Sequence, residues 1–306
     1  MLEVKRLRLL NELASRGTLV AVAEALNYSP SAVSQQLAIL EREVGVPLFR
    51  RSGRNLELTS TAKFLAAEVE HLLNHIERIE SAMRASQGEI RGAVRVAAFQ
   101  TAMLAILPQA LGRLRADYPD LRVDVVQHEP EAALYETSVR GFDLVIAEQY
   151  PGHAAGHFDG LDRRPLTQDP IQLALPEIAG DAEFDGVTSL AAAGGLPWVM
   201  EPKPAASRHW AEQLCRSAGF EPDIRFETAD LQAHVRLVES GNAVALLPGL
   251  VHVGRRPRLR LLDLPGRPRR TVFTAARAAS DANPAISVLR TVLAEEAGAL
   301  GAAVRP

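Results

Sequence analysis

The sequence contains a single cysteine, Cys215, among its 306 residues. One thiol excludes an intramolecular disulfide framework and a zinc site built on cysteines, and it is typical of proteins kept in a reducing compartment. Long apolar runs are missing as well, since none approaches the roughly 18 residues that a membrane span requires. Charges interrupt the first 15 residues, MLEVKRLRLLNELAS, where a signal peptide needs an unbroken apolar core. These absences predict a cytoplasmic protein.

The chain as a whole has little excess of either charge, with a formal net charge of −3. Residues 1–65 nevertheless contain nine Lys and Arg against six Glu, a surplus of three positive charges, which leaves −6 for the remainder. A basic N-terminal part on an acidic body predicts a nucleic-acid or anion surface confined to that part. The length is sufficient for about two domains, each with its own core.

Three short helices are predicted in the first 45 residues, because start signals, stop signals and apolar faces recur there. The second helix follows Thr18, and the third follows Ser29 with Pro30 at its first position. Gly17 and Gly45 end the first and third helices. The apolar faces consist of Leu7, Leu10 and Leu13 in the first helix and of Val33, Leu37 and Leu40 in the third.

Two short helices joined by a tight turn form a helix-turn-helix, whose second helix can enter a major groove about 12 Å wide. A basic hairpin follows: residues 48–59, LFRRSGRNLELT, predict two short strands around a Ser52-Gly53 turn, which is a wing. Glutamine and serine can read base edges, and arginines can hold phosphates or enter the minor groove. The alternative is a solvated helical hairpin with a charged turn. The DNA-binding candidates are Ser31, Ser34, Gln35 and Gln36 on the third helix and Arg50, Arg51 and Arg54 on the wing.

A long helix begins after Thr59 and ends near Gly88. Its apolar residues alternate spacings of four and three, which predicts the seam of a paired coiled coil. The alternative is a helix that lies on its own domain. The predicted seam consists of Leu65, Val69, Leu72, Ile76, Ile79 and Met83.

Strands and helices alternate from Gly92 onward, which predicts α/β units with right-handed crossovers and a parallel sheet. Two such units in succession form a cleft, and the last helix is expected to fold back onto the first unit. The predicted strands are 93–99, 121–128, 142–147, 171–175, 198–200, 224–227 and 243–247, and the predicted helices are 101–118, 132–140, 189–193, 207–217, 231–240 and 284–300.

Residues 17–59 resemble the DNA-binding domain of LysR-type transcriptional regulators. The resemblance consists of the helix-turn-helix, Leu40-Glu41 on its second helix, the run GVPLF at 45–49, the arginine wing and Leu58-Thr59. A separate run later in the chain also resembles the family, in residues 215–220 (CRSAGF), 238–242 (VESGN) and Leu247-Pro248. Many members carry Gln where this chain has Pro30, which places more weight on Ser34 and Gln35.

The resemblance implies an α+β multidomain protein with a winged helix-turn-helix (1–58), a dimerising linker helix (59–89) and an effector domain (90–306). The effector domain is expected to be two-lobed, α/β and similar to periplasmic solute-binding proteins. Lobe I is expected at about 90–161 and 264–306, and lobe II at about 162–263. The implied partners are promoter DNA, a small-molecule effector and a second copy of the chain, as a homodimer or homotetramer. RNA polymerase is a further candidate partner, and no cofactor is implied.

Effector contacts are expected beyond the carboxyl ends of strands and near helix N-termini. The first predicted strand is followed by such a turn, where the family resemblance also places effector contacts. Backbone N–H groups there favour a carboxylate, whereas two glutamates near the other rim favour an ammonium group. An amino-acid-like effector satisfies both, although each residue can equally be a cap or a solvated side chain. The candidates are Phe99, Gln100, Thr101, Glu148, Glu201, Pro202 and Thr228.

Other functional classes are less consistent with the sequence. Cys215 as a nucleophile would need an activating base, and its helix predicts a buried position. The pair His153 and His157 has metal-ligand spacing, but neighbouring glycines predict a loop and no third ligand is indicated. A solute-binding transport protein would need a leader sequence and no helix-turn-helix. We therefore expect a regulator and not an enzyme, with neither metal nor cofactor.

Overall fold

The computed structural model describes residues 2–52, 55–86, 88, 90–177, 182–255 and 257–303. It contains two compact units. No helix in the described part of the chain is long and apolar enough to cross a membrane. The first unit comprises Met1–Glu89, Val139–Gly141 and Ala278–Pro284, and the second comprises Ile90–Ser138, Phe142–Arg277 and Ala285–Pro306.

The first unit begins with three helices, followed by a hairpin and a long helix. The predicted caps are confirmed: Thr18 and Ser29 accept hydrogen bonds from backbone N–H groups in the first turns of their helices, and Gly17 and Gly45 end helices with φ near +77°. The elements are α1 (Val4–Arg16), α2 (Leu19–Leu26), α3 (Pro30–Val44), β1 (Phe49–Ser52), β2 (Asn55–Leu58) and α4 (Ser60–Ser86).

Helix α4 has one face packed on its own unit and one free apolar stripe. Its buried apolar residues are Ala62, Ala66, Val69 and Leu73, which join the core formed by α1, α2 and α3. The prediction that Val69 belongs to the pairing seam is therefore wrong, because this residue already packs inside the unit. Two other members of the predicted seam are half-buried, Leu65 against that core and Ile76 further along the helix. The remaining members are more exposed: Leu72 is 39%, Ile79 51% and Met83 60% exposed.

The second unit contains the remaining strands and helices. Its strands are β3 (Gly92–Ala98), β4 (Leu121–Gln127), β5 (Leu144–Gln149), β6 (Leu161–Pro176), β7 (Pro197–Met200), β8 (Asp223–Glu227), β9 (Ala245–Pro248), β10 (Leu259–Asp263) and β11 (Arg269–Arg277). Its helices are α5 (Gln100–Ala105), α6 (Leu107–Asp117), α7 (Pro130–Ser138), α8 (Ala182–Asp185), α9 (Ala206–Ser217), α10 (Leu231–Glu239) and α11 (Pro284–Ala303).

The predicted parallel sheet is confirmed only in part, because the sheet is mixed. Strand β3 pairs in parallel with β4 and β5, but β11 lies antiparallel between β5 and β6. Strand β6 is 16 residues long and also pairs antiparallel with β9 and β10. Strands β5 and β6, and likewise β10 and β11, follow each other along the chain without a helix between them, and β11 lies between β5 and β6 in the sheet. A separate parallel pair, β7 and β8, completes the second half.

Two groups of core residues define the lobes of the second unit. We call lobe I the part packed around β3, β4 and β5, and lobe II the part packed around β7, β8 and β9. Helix α11 contributes Ile286, Leu289 and Leu293 to the lobe I core, which confirms the predicted return of the last helix. The single helix predicted at 101–118 divides into α5 and α6, because Pro108 lacks a backbone N–H and its ring crowds the preceding turn.

Candidate functional site

The exposed face of α3 carries the predicted base-reading side chains. Val33, Leu37 and Leu40 face the core, whereas Ser31, Ser34 and Gln35 are exposed. Because residues 31, 34 and 35 are three and four positions apart on a helix, they form one continuous polar surface.

Gln36 differs from these three residues. It is half-buried, and its Oε1 accepts a hydrogen bond of 3.1 Å from Nε of Arg6 on α1. The same arginine pairs with Glu43 at 2.7 Å. Gln36 thus contributes to the packing of α3 on α1, and Ser34 and Gln35 are the side chains most available to a ligand on this face.

The wing is anchored to α3 by Glu41, a residue of the Leu40-Glu41 motif to which the sequence alone assigned no structural role. The carboxylate of Glu41 accepts hydrogen bonds from the backbone N–H groups of Leu48 (2.8 Å) and Phe49 (3.1 Å). At the same open end of the hairpin, just after β2, the Thr59 hydroxyl donates to the Pro47 carbonyl at 2.9 Å. The Leu40-Glu41 motif therefore supplies one core side chain and one anchor for the wing, which sets the wing's position relative to the reading face.

The wing arginines are only partly described. Arg50 is exposed and pairs with Glu57 across the hairpin at 2.7 Å. The side chain of Arg51 and all of Arg54 lie outside the described residues. Their assignment to phosphate binding stays a prediction.

The second unit contains a cavity of about 200 Å³ at the carboxyl ends of four strands. Glu129 follows β4 and Glu148 lies near the end of β5, while Glu201 follows β7 and Ala229 follows β8. Ligands in α/β folds bind beyond the carboxyl ends of strands, and this position matches that rule. The lining residues are Glu129, Pro130, Glu131, Glu148, His153, Ala155, Glu201, Pro202, Lys203, Pro204, Ala205, Ala206, Ser207 and Ala229.

The structure brings three of the seven predicted effector residues to this cavity, namely Glu148, Glu201 and Pro202. Phe99, Gln100, Thr101 and Thr228 are not among the lining residues. Thr228 instead accepts a hydrogen bond from the backbone N–H of Asp230 at 3.1 Å. Sequence reasoning missed Glu129 and Glu131, although the rule that ligands lie beyond strand ends would have identified the segment after β4.

Behind the cavity wall lies a buried ionic cluster centred on Arg270, which is 1% exposed. Its guanidinium pairs with Asp169 (2.7 Å) and Glu148 and donates to the Thr101 hydroxyl at 2.6 Å. The ring of Phe99 lies 5.1 Å from the guanidinium carbon. Phe99 and Thr101 thus support Arg270, and the hydroxyl of Thr101 is occupied there.

The Arg270 cluster also explains why residue 249 is a glycine. Asp169 accepts a hydrogen bond from the backbone N–H of Leu250 at 3.0 Å, which draws the chain close to the carboxylate. A Cβ atom at Gly249 would lie 2.9 Å from Oδ1 of Asp169. Glycine is therefore the residue that fits at this approach.

Gln100 joins the two lobes instead of facing the cavity. Its Nε2 donates to Asp230 at 2.7 Å, and its Oε1 accepts from the backbone N–H of Leu231 at 2.8 Å. Asp230 is also the N-cap of α10, where it accepts from the N–H of Gln232. The hydrogen bond from Gln100 lowers the pKa of Asp230, so this lobe–lobe contact favours the ionised carboxylate.

The carboxylates of the cavity disfavour one another's charge. Burial raises the pKa of Glu148 to about 7, opposed by Arg270 and reinforced by the negative charge of Glu201. Burial also raises the pKa of Glu201, and the charge of Glu129 adds to this increase. Negative charge is thus disfavoured in this poorly solvated place.

The alternative chemistries find no support in these positions. Cys215 is buried in the lobe II core, and burial raises the pKa of its thiol to about 12, which opposes thiolate formation. Nε2 of His153 lies 3.9 Å from Glu131, and His157 is near Asp159. Within the described ranges, no group of three or more His, Cys, Asp or Glu side chains could hold a metal ion.

Comparison with known families identifies both units. A model of the LysR substrate binding domain matches residues 87–298, and a model described as bacterial regulatory helix-turn-helix protein, lysR family, matches residues 4–63. The chain belongs to the LysR family. The resemblance inferred from residues 17–59 is therefore confirmed, and so is the expected combination of a helix-turn-helix with a two-lobed α/β domain.

Individual LysR-family relatives are distant. A probable RuBisCO transcriptional regulator of Nostoc sp. (strain PCC 7120) is 31% identical over 172 residues, which are 56% of this chain and 50% of the relative. The chain thus aligns with about half the length of this curated relative. The transcriptional dual regulator GltC of Bacillus subtilis (strain 168) is 27% identical over 84% of each chain. A variant of full-length OxyR from Pseudomonas aeruginosa has a TM-score of 0.67 at 19% identity, covering 96% of this chain and 95% of that one, a likeness of fold alone.

Proposed function

We propose that this LysR-family chain is a sequence-specific transcriptional regulator that reads promoter DNA with α3 and binds a small effector in the cavity of its second unit. The observation that carries the DNA half is the exposed surface of Ser31, Ser34 and Gln35, on the side of α3 opposite its core residues. This helix is the second of a helix-turn-helix, which is the element that enters the major groove. Arg50, Arg51 and Arg54 hold the flanking phosphates.

The effector half of the proposal rests on the cavity at the carboxyl ends of β4, β5, β7 and β8. Its volume of about 200 Å³ lies below the range of roughly 300–1,000 Å³ typical of ligand pockets, so the effector is a small metabolite. The expected amino-acid-like effector is consistent with Glu148 and Glu201 on the wall, which face its ammonium group. Binding there would alter promoter binding, and RNA polymerase would be the partner that senses the result.

The proposed assembly is a homodimer formed by α4, able to associate further into a tetramer. Leu72, Ile79 and Met83 leave an apolar stripe on this helix that its own unit does not cover. Apolar residues at alternating spacings of four and three are buried when two helices pair. Two reading helices would then bind two half-sites related by the dimer axis.

The direct test is DNA binding by the full chain, measured by fluorescence anisotropy at fixed salt. One duplex comes from the region upstream of the protein's own gene, and the control duplex has the same length and composition in shuffled order. We expect binding to the first to be at least about 1,000-fold tighter, as is typical of specific recognition. Equal affinity for the two duplexes would contradict the proposal.

A further inference from the structure

We propose that the cavity recognises its effector chiefly through a positively charged amino group, and that a carboxylate on the ligand is not required. This inference rests on the proposed effector site and specifies the chemistry of its ligand. Four glutamates line a cavity whose remaining wall is largely apolar, with His153, Lys203 and Ser207 as its other polar side chains. The glutamates are Glu129, Glu131, Glu148 and Glu201, and they reach the cavity from three separate segments of the chain.

The positive charges near the wall do not balance these glutamates. Lys203 is the one lysine or arginine among the lining residues, but its side chain is 71% exposed and lies 3.7 Å from Glu212. Arg270 stands behind the wall and is shared between Glu148 and Asp169, so its single positive charge offsets at most one of these two carboxylates. The cavity therefore has a net negative potential that a cation would offset.

A buried hydroxyl on the same wall also indicates a missing partner. The oxygen of Ser207 is buried and makes no hydrogen bond of normal geometry with any described residue, although it stands beside Glu201. A buried polar group without a good partner is costly, and an ammonium group supplies up to three N–H donors. One ammonium group placed between Glu201 and Ser207 would satisfy both oxygens.

The rest of the lining indicates the body of the ligand. Apolar surface surrounds the carboxylates and accommodates a short hydrocarbon chain. Its residues are Pro130, Ala155, Pro202, Pro204, Ala205, Ala206 and Ala229. A small primary amine, with one charged end and a few methylene groups, matches this combination of charge, polarity and volume.

A carboxylate has weaker support. The turn of Gln100 and Thr101, where the sequence predicted a carboxylate site, is occupied by contacts within the protein, and α5 has only six residues. Helix α9 begins at the cavity with Ala205 as an N-cap that makes no side-chain hydrogen bond. Its N–H groups and Lys203 accommodate a carboxylate at the outer edge once an ammonium group offsets the glutamates. Amino acids therefore remain ligands, whereas simple acids do not.

The test is isothermal titration calorimetry of the full chain at pH 8. The probes are primary n-alkylamines of two to six carbons and the matched n-alkanoates, each pair alike in length and shape. We expect at least one amine to bind at least about tenfold more tightly than its matched acid. Acids that bind as tightly as the amines, or a series in which no amine gives saturable heat, would overturn the inference.

Variants locate the binding to this cavity. Glu201→Gln and Glu129→Gln keep the side-chain shape, remove one charge each and should weaken amine binding at least about tenfold. Glu177→Gln changes an exposed glutamate outside the cavity and should leave the affinity unchanged. Urea denaturation of each variant shows whether it is folded. An equal loss of amine affinity in all three variants, or no loss in the two cavity variants, would refute the assignment of amine binding to this cavity.

The same preparations separate this inference from the proposed function. Specific binding to the upstream duplex without amine binding would reject the amine and leave the regulator standing. Amine binding without discrimination between the two duplexes would do the reverse.

Discussion

The reading face of α3 and the cavity of the second unit are built in opposite ways. Ser31, Ser34 and Gln35 come from five consecutive residues of one helix and are exposed. The cavity combines side chains from segments as far apart as Glu129 and Ala229, and its glutamates stand in front of a buried arginine. The proposed DNA recognition thus uses a surface that makes few contacts within the fold, whereas the proposed effector site uses side chains that also hold the fold together.

This difference separates stability from binding. A substitution on the exposed face should change DNA recognition and leave the free energy of unfolding unchanged, because little native contact is lost. A substitution in the Arg270 cluster should change both, because it leaves a buried charge without its partner. Substitutions in each of these regions test that separation.

The largest effect is expected on α4, where exposed apolar residues carry the proposed assembly. The double variant Leu72→Asp, Ile79→Asp places charges in the seam, at a cost of several kcal/mol to pairing. Sedimentation velocity should show monomers that are still folded and no longer bind the upstream duplex specifically. His71→Asp adds one carboxylate at an exposed position of α4 outside the stripe and should remain dimeric. A dimeric double variant would mean that another surface holds the copies together.

The next effect concerns Arg270. Arg270→Met keeps much of the side-chain volume but removes the partner of Glu148 and Asp169, and we expect a loss of about 3–5 kcal/mol in the free energy of unfolding. Urea denaturation measures this loss. Arg267→Met is the control, at a highly exposed arginine in the loop before β11 that pairs with Asp263, and it should cost less than about 1 kcal/mol.

The loss in Arg270→Met should depend on pH. Burial raises the pKa of Glu148 to about 7 and also raises that of Asp169, and without the guanidinium both rise further above their unfolded values. A carboxyl group whose pKa is raised by folding stabilises the folded protein at low pH. This contribution is lost as the pH rises through the pKa that the group has in the folded state. The gap between variant and wild type should therefore widen from pH 6 to pH 8. A gap that narrows over this range would contradict the ionic account of the cluster.

A smaller effect is expected at Gln100, which links the lobes at the surface of the cleft. Gln100→Ala removes hydrogen bonds to Asp230 and to the N–H of Leu231, worth about 1 kcal/mol in the free energy of unfolding. Gln109→Ala, at an exposed glutamine of α6, is the matched control. A loss as large as that of Arg270→Met would show that the lobes depend on this contact far more than its geometry implies.

The sequence predicts best what neighbouring residues decide. Thr18, Ser29, Gly17 and Gly45 mark helix ends through contacts within a few residues, and the structure confirms all four. The polar face of α3 was predictable for the same reason, because its residues and the core residues of the helix alternate within one short segment. By contrast, Val69 was wrongly assigned to the pairing seam. The spacing of apolar residues along a helix does not show whether a side chain is buried in its own unit or against a second copy of the helix.

Contacts between distant residues were beyond sequence reasoning. Arg270 and Thr101 are 169 positions apart, and no local pattern indicates that they meet. The antiparallel return of β11 between β5 and β6 is equally non-local. Alternating strands and helices indicate the α/β class. They do not indicate the order of the strands in the sheet, which depends on which distant segments pair. The strand order in turn determines which glutamates line the cavity.

The most direct test of the account is the base selectivity of Gln35→Ala. Its affinity is measured for the upstream duplex and for a set of duplexes with one base pair changed in turn, alongside the wild type. We predict that the variant is as stable as the wild type and that its preference falls by about 1–3 kcal/mol at one base pair of each half-site only. An equal loss of affinity on specific and shuffled DNA would contradict the claim that the exposed face of α3 reads sequence.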